Sequence, residues 1–449
     1  MATYRYTLRD YRAIKNASIK IDGITVLAGE NGCGKSTLSR WLYYLVNGAN
    51  NYEHYAFKAF KNDVLAQLQR LRMVTRDISF SSNTEQTNLA TKFRLSIERI
   101  TTITDTDDED APQQVSDVFD IVIKSFSQNL FDFLKTNKGI TNNKRDRMLS
   151  YLSVNSEDKQ DDEVVDEFLG HQKAYMHNAT MEYQKHIETR PLDSYFSYLK
   201  QNFRFEGDNP QNSIKLEEDG VSLFKKNKVG NLYNLKRAIY VDTPMAVTDA
   251  VADGNPFWHH LKQMMYQPRP NFDFDNDATQ LLLKKISFLL HGKATVEKNM
   301  FGESELHYVR EDGLNIKLDH VATGFKSLSY LQKLLENGYL DSETLLLIDE
   351  PEAHLHPQWI VEFARLLVLL NKHLGVKIMV ASHNPDMVAA IQTIAQKEGT
   401  IEQTNFYLAE PDSKRFAYTF RELDHEIDEI FSSFNIAYER MHQYGSEGV

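Results

Sequence analysis

Gly29-Glu30-Asn31-Gly32-Cys33-Gly34-Lys35-Ser36-Thr37 fits the pattern G-x-x-x-x-G-K-[ST], and its setting decides the fold. The apolar run Ile24-Thr25-Val26-Leu27-Ala28 before it reads as a buried strand, and Lys35 to about Val46 reads as a helix. Strand, glycine-rich turn and helix are what a phosphate-cradling loop requires. Glycines let backbone N–H groups turn inward, and the helix N-terminus adds its positive partial charge. Lys35 is then expected to reach the β- and γ-phosphates of a nucleoside triphosphate, and Ser36 to ligate Mg2+. Gly29, Glu30, Asn31, Gly32, Cys33, Gly34 and Thr37 complete the cradle. Cys33 at a helix start also suggests an activated thiol; the plainer reading is a small residue that fills the loop.

Farther along, Leu345-Leu346-Leu347-Ile348-Asp349-Glu350-Pro351-Glu352 is an apolar strand ending in acids. Such a strand delivers Asp349 to its C-terminal tip to hold Mg2+, with Glu350 placed to polarise an attacking water. Pro357 to His373 reads as a helix with proline in its first turn. A second buried strand, Val376 to Ala381, follows and ends at Ser382-His383-Asn384. Strand, helix and strand make a parallel βαβ unit, so the fold class is α/β. If the two strands are neighbours, His383 shares a sheet edge with Glu350 and is able to sense the γ-phosphate. Tyr4 to Leu8, Ala17 to Ile21 and Ala238 to Val241 supply further strands. His354-Leu355-His356 suggests a metal, but no second Cys or His cluster stands nearby, so a structured turn is the better reading.

Between the two halves the pattern changes. Lys92 to Thr104 is rich in Thr, Ile, Phe and Arg and predicts a strand. The acidic run Thr104 to Gln114 predicts a boundary, after which apolar residues recur at helical spacing (Val118, Ile121, Val122, Phe126). The expected organisation is an α/β head over 1–104 and 236–449, interrupted by a mostly helical insertion over 105–235. The acidic runs at 104–114 and 157–167 read as solvated loops.

Composition narrows the class. The 449 residues carry a net charge of −12, which excludes a broadly basic nucleic-acid coat but not a local patch. Lys144-Arg145-Asp146-Arg147 and Lys225-Lys226-Asn227-Lys228 are the local candidates, each read more simply as a solvated face. Cys33 is the single cysteine, so no intramolecular disulfide forms and a reducing compartment is expected. Met1 to Asp10 lacks the apolar core of a secretory signal, and no stretch of about 18 apolar residues is long enough to span a membrane. The expectation is a soluble cytoplasmic protein. Asp273-Phe274-Asp275 opens like a calcium loop, but Ala278 and Lys284 occupy the required glycine and glutamate positions.

Taken together, GENGCGKST, LLLIDEPEAHLHP and VASHNP resemble ABC-type ATPases rather than Ras-like or kinase-like P-loop proteins. DEPEAHLHP is similar to the RecF-like and OLD (overcoming-lysogenization-defect) group, which includes ATPases of bacterial anti-phage systems such as the PtuA and PARIS types. The resemblance covers about 1–100 and 235–410 and implies ATP and Mg2+ as cofactors. It also implies a signature before the hydrolytic strand. At Val321 to Ser327, Thr323 replaces the usual serine, Gly324 allows close backbone approach, and Lys326 stands where glutamine is common. In such ATPases this segment meets the γ-phosphate of the opposite subunit, which implies a homodimer or higher oligomer. The family's glutamine loop would follow Ala238 to Val241 and bring Asp242 near Mg2+; an ordinary strand-ending turn is the other reading.

OLD enzymes continue into a nuclease domain. Too few residues follow His383 for a second α/β domain, and Asp424, Glu426 and Asp428 fall in a helix-like run. The resemblance therefore implies an ATPase that serves as sensor or scaffold for a separate effector, a nuclease. The alternative is a RecF- or SMC-like DNA-repair ATPase, though the insertion lacks coiled-coil heptads.

Overall fold

A computed structural model describes residues 2–77, 83–104, 110–136, 148–154, 159–205, 207–242, 256–270, 276–353, 355–412 and 416–434. The alternating N-terminus folds into a hairpin of β1 (Tyr4–Tyr11) and β2 (Ile14–Ile21), followed by β3 (Ile24–Ala28), buried along its length. After it come α1 (Lys35–Asn50), α2 (Tyr52–Asp77), α3 (Asn83–Thr102), α4 (Ala111–Thr136), α5 (Asp161–Thr189) and α6 (Leu192–Phe203). Short strands β4 (Ile214–Glu218), β5 (Val221–Ser222), β6 (Phe224–Lys225) and β7 (Lys228–Val229) precede β8 (Arg237–Val241). Helices α7 (Pro256–Tyr266) and α8 (Asp277–Leu290) lead to a meander of β9 (Gly292–Lys298), β10 (Ser304–Arg310) and β11 (Asn315–Lys317). Next come α9 (Thr323–Glu336), β12 (Thr344–Asp349), α10 (Pro357–Leu374), β13 (Lys377–Ser382), α11 (Pro385–Glu398), β14 (Thr404–Pro411), β15 (Tyr418–Leu423) and α12 (Asp428–Phe434).

Among the described residues ten strands form one mixed sheet, ordered β5-β4-β1-β2-β15-β14-β3-β13-β12-β8. From β14 to β8 every neighbouring pair is parallel, as the expected βαβ unit requires, with Asp349 opposite Ala381. Strands β3, β12 and β13 are buried at every residue, which is why they read as apolar runs rather than alternations. On one face Val26, Leu346, Ile348 and Val380 join Leu331, Phe363 and Leu367 in the core. Each such side chain contributes about 1.5–3 kcal/mol on burial. Helix α1 packs against β8, β12 and β13. Its Asn47 completes the edge of β8, donating Nδ2–H to the Ala238 carbonyl (2.8 Å) and accepting from the Ala238 N–H (3.1 Å). The fold is therefore α/β with a large, parallel-rich sheet.

Two compact units divide the chain, Met1–Asn50 with Leu199–Val449, and Asn51–Tyr198. The second has its own aromatic core of Phe93, Phe119, Phe126 and Phe168. These bounds correct the expected insertion of 105–235 at both ends. The acidic run at 104–114, of which 105–109 lie outside the described residues, follows α3 and ends in the first turn of α4, within the span of the helical unit. At the other end, β4 pairs antiparallel with β1, so Ile214 and Leu216 belong to the main sheet. The strand expected at Lys92 to Thr104 is the C-terminal part of α3. Leu89, Phe93 and Ile100 are buried and Ile97 packs against them; that helical period overrides the β-propensity of the Thr and Ile residues. The second acidic run is also not all loop: Asp161, Asp162 and Glu163 open α5, where negative charge suits the helix dipole. Asp424 and Glu426 precede α12, which Asp428 begins. Among the described residues no helix is long and apolar enough to cross a membrane.

Candidate functional site

The loop between β3 and α1 owes its shape to glycine. Gly32 holds φ at 84°, a region that L side chains rarely adopt, and a Cβ on Gly34 would stand 2.7 Å from Ile14 Cγ1. The first amides of α1 open onto this loop. Lys35 is buried and folds back over it, donating Nζ–H to the carbonyls of Gly29 (2.7 Å) and Glu30 (2.9 Å). Cys33 is fully buried with Sγ 3.7 Å from Lys35 Nζ. Burial pushes its thiol pKa up, and the neighbouring ammonium offsets this only in part, so it fills the loop and does not present a ready thiolate.

Asp349, at the tip of β12, is 2% exposed. Its Oδ1 accepts from Ser39 Oγ (2.7 Å) and its Oδ2 from the Tyr240 hydroxyl (2.8 Å). Burial pushes its carboxyl up to about 6, although the hydroxyls of Ser39, Ser36 and Tyr240 pull the other way. The loop serine and the strand aspartate are thus together. Asp242 lies one hydroxyl away: Tyr240 OH is 2.9 Å from its Oδ1, and Arg40 Nη2 pairs with the carboxylate at 3.1 Å. Thr243, the next residue of the suggested loop, lies outside the described residues.

A buried anion of this kind works against the fold. The unfolded chain releases its Asp349 proton near pH 4 and the folded chain only near pH 6, so folding stability falls as pH rises between those values. Asp349→Asn is expected to match the wild type at or below about pH 4 and, in nucleotide-free protein, to gain up to about 3 kcal/mol at pH 7. Denaturant melts at both pH values measure it. Equal stability at pH 7 contradicts it.

Glu350 adopts a left-handed backbone, φ 48°, at the end of the strand, a conformation that costs about 1–3 kcal/mol in a non-glycine residue. Its N–H donates to the Ala381 carbonyl at 2.8 Å, tying it to β13. Because the two strands are neighbours, His383 Nδ1 comes within 3.6 Å of Glu350 Oε1. It is also 3.5 Å from Oε1 of Glu352, a buried carboxylate that sequence reasoning passed over. The available signal was its place three residues after Asp349 in DEPE.

Thr323 and Gly324 lie in the first turn of α9 and Lys326 is buried on it, while Phe325 packs on Trp359 (5.5 Å between centroids). No hydrogen bond or ion pair among the described residues joins Thr323, Gly324 or Lys326 to residues 29–37 of the same chain. His354 lies outside the described residues, and His356 caps α10, accepting from the Gln358 N–H at 3.4 Å, which is the structured-turn reading. The basic run 144–147 and the calcium-like residues 273–275 also lie outside them. Among the described residues no three His, Cys, Asp or Glu side chains cluster as a metal site.

Beside Ser36 and Thr37 opens a cavity of about 470 Å³, lined in part by Tyr11, Arg12, Trp41 and Phe205. Trp41 meets Phe205 at 4.8 Å and Tyr11 at 6.0 Å. The aromatic walls come from a hairpin turn, a helix and a loop, so no sequence motif marks them. Ser39, Arg40 and Tyr240 were missed for the same reason.

The family model for the AAA ATPase domain matches residues 4–388. Among solved structures, an Smc head bound to the C-winged helix domain of ScpA is 11% identical, covering 95% of this chain and 98% of that one at a TM-score of 0.35. The SMC head domain from Thermotoga maritima is 10% identical, covering 94% and 100% at 0.34. A dimeric bacterial ABC transporter cassette is 12% identical, covering 43% and 68% at 0.25. Likenesses this distant carry no functional assignment. No curated protein matches the chain.

Proposed function

Because this chain belongs to the AAA ATPase domain family, a family of ATPases, we propose that it binds ATP at residues 29–37 and hydrolyses it with Glu350 and His383. The observation that carries this reading is the convergence of the loop serine, the buried Asp349 and the Glu350–His383 pair at one end of the parallel strands. Lys35, now held by two carbonyls, turns to the β- and γ-phosphates. The cavity beside Thr37 takes the nucleoside, its base against the aromatic walls. Mg2+ fits the oxygen donors: one buried carboxylate, Asp349, and the Ser36 hydroxyl suit a hard cation that draws its remaining ligands from phosphate and water. When bound, the ion withdraws charge from the transferred phosphoryl group. Asp242, paired with Arg40, stands behind this set and is joined to Asp349 through the shared Tyr240 hydroxyl. Glu350 accepts the proton of the attacking water, and His383 orients it.

Thr323, Gly324 and Lys326 complete the site of a second copy, with ATP as interfacial glue in a homodimer or higher oligomer. Among the described residues no hydrogen bond or ion pair ties them to the chain's own loop, which leaves them open to a second copy. In cells the ATPase acts as sensor or scaffold for a separate nuclease in antiviral defence, a reading supported by the DEPEAHLHP resemblance. Sedimentation of Glu350→Gln is expected to show a dimer with ATP and a monomer without it; an assembly state indifferent to ATP overturns the interfacial site. Affinity purification from the protein's natural host, with the Glu350→Gln form, tests the role. A co-purifying nuclease supports defence; repair proteins and DNA-stimulated turnover would point to a RecF- or SMC-like ATPase instead.

A further inference from the structure

One carboxylate at this end of the sheet has no part in the chemistry above. Glu352 follows the hydrolytic pair, and its side chain is only 3% exposed. Its Oε1 accepts from Ser382 Oγ at 2.8 Å and from the His383 backbone N–H at 3.1 Å. The same oxygen stands 3.5 Å from His383 Nδ1. Glu352 Oε2 and His383 Nδ1 are both buried, and neither has a hydrogen-bond partner among the described residues. Burial raises the Glu352 carboxyl, and the bonds from Ser382 and His383 oppose that rise.

A buried carboxyl is an expensive way to hold a turn. The Ser382 hydroxyl and one amide would be satisfied by a neutral acceptor of the same shape, so the turn alone does not account for an acid here. The adjacent ring does. His383 Nδ1, the buried orphan of the ring, stands 3.5 Å from Glu352 Oε1 and gains an acceptor there once it carries a proton.

We propose that Glu352 is a positioning residue for His383: its carboxylate holds the ring in the Nδ1–H tautomer. The ring is thereby kept 3.6 Å from Glu350 Oε1, with Nε2 left as the nitrogen available to substrate. Glu352 also supplies an acceptor for Nδ1–H other than Glu350, so the Glu350 carboxylate stays free to take a proton from water. The functional part of this inference rests on the proposed roles of Glu350 and His383; the contact itself does not.

Nitrogen NMR of isotope-labelled histidine rings in the full chain, with the His383 signal assigned by its loss in His383→Gln, tests the contact directly. The wild type is expected to show the Nδ1–H pattern, and Glu352→Gln to move it toward Nε2–H. In steady-state hydrolysis Glu352→Gln is expected to lose about 10- to 100-fold in kcat, the range typical of groups that orient a functional histidine, with KM for ATP within about twofold. Ser382→Ala removes a donor but leaves the carboxylate, and is expected to keep the ring pattern and most of kcat. If Glu352→Gln does not fold, Glu352→Asp, which withdraws the carboxylate by one methylene, is read in the same way. An identical His383 ring pattern in wild type and variant overturns the proposal whatever the turnover. A wild type that hydrolyses no ATP, yet shows the ring change, sinks the ATPase reading and leaves the contact standing.

Discussion

Replacing Glu350 with Gln is expected to lower kcat for ATP hydrolysis by about two to three orders of magnitude, within the span ascribed to a positioned general base. ATP affinity is expected to stay within about threefold. The two side chains are nearly isosteric, and Gln tolerates the left-handed backbone at this position about as well as Glu does. The Glu350 side chain is 45% exposed, so removing its charge disturbs no buried network. What disappears is an oxygen able to take up a proton. Phosphate release under saturating ATP measures kcat, and calorimetric titration measures affinity. Turnover within threefold of wild type would remove Glu350 from the mechanism, and the left-handed turn at the strand end would then need another reason.

Lys35→Ala is expected to weaken ATP binding by about 30- to 100-fold, corresponding to roughly 2–3 kcal/mol for hydrogen bonds to charged groups. Two effects act in the same direction. The variant removes the cation that meets the phosphates, and it releases the loop from the clasp on Gly29 and Glu30. The second effect separates this prediction from a plain charge deletion. Lys35→Met, which keeps the apolar stem and loses the ammonium, is expected to be as weak as Ala, because both the clasp and the phosphate contact need N–H donors. The rise in melting temperature that ATP gives the wild type should shrink in both variants at the same ATP concentration, in step with the weaker binding. Undiminished affinity in Lys35→Ala would overturn the assignment of residues 29–37 as the phosphate site.

Much of the head was legible from short stretches. Apolar runs at Ile24–Ala28, Leu345–Ile348 and Val376–Ala381 marked strands buried on both faces, and the βαβ pattern implied that the latter two run parallel. The helix after the phosphate loop and the one opened by Pro357 were equally clear. The helical unit was harder to bound. Thr101, Thr102 and Ile103 favour extended backbone locally, while the decisive signal, Phe93 and Ile100 on one helical face, spans two turns. The acidic run after them resembled a domain boundary because acidic stretches poor in apolar residues share one composition whether or not they separate compact units.

The available chemistry is written locally: a glycine loop able to surround phosphate, a lysine and a serine at its helix, and an acid pair at the end of a buried strand. Those follow from local rules of backbone freedom and periodicity. Which of these groups meet depends on folding. Ser39 reaches Asp349 across 310 residues of chain, and the β12–β13 register brings the Glu352 carboxylate to His383 across 31. Such encounters depend on how strands pair and helices pack, and pairing is the sum of many weak apolar contacts along whole elements. No short stretch of residues contains that sum, so the partners of Asp349 and His383 became visible only in the folded chain.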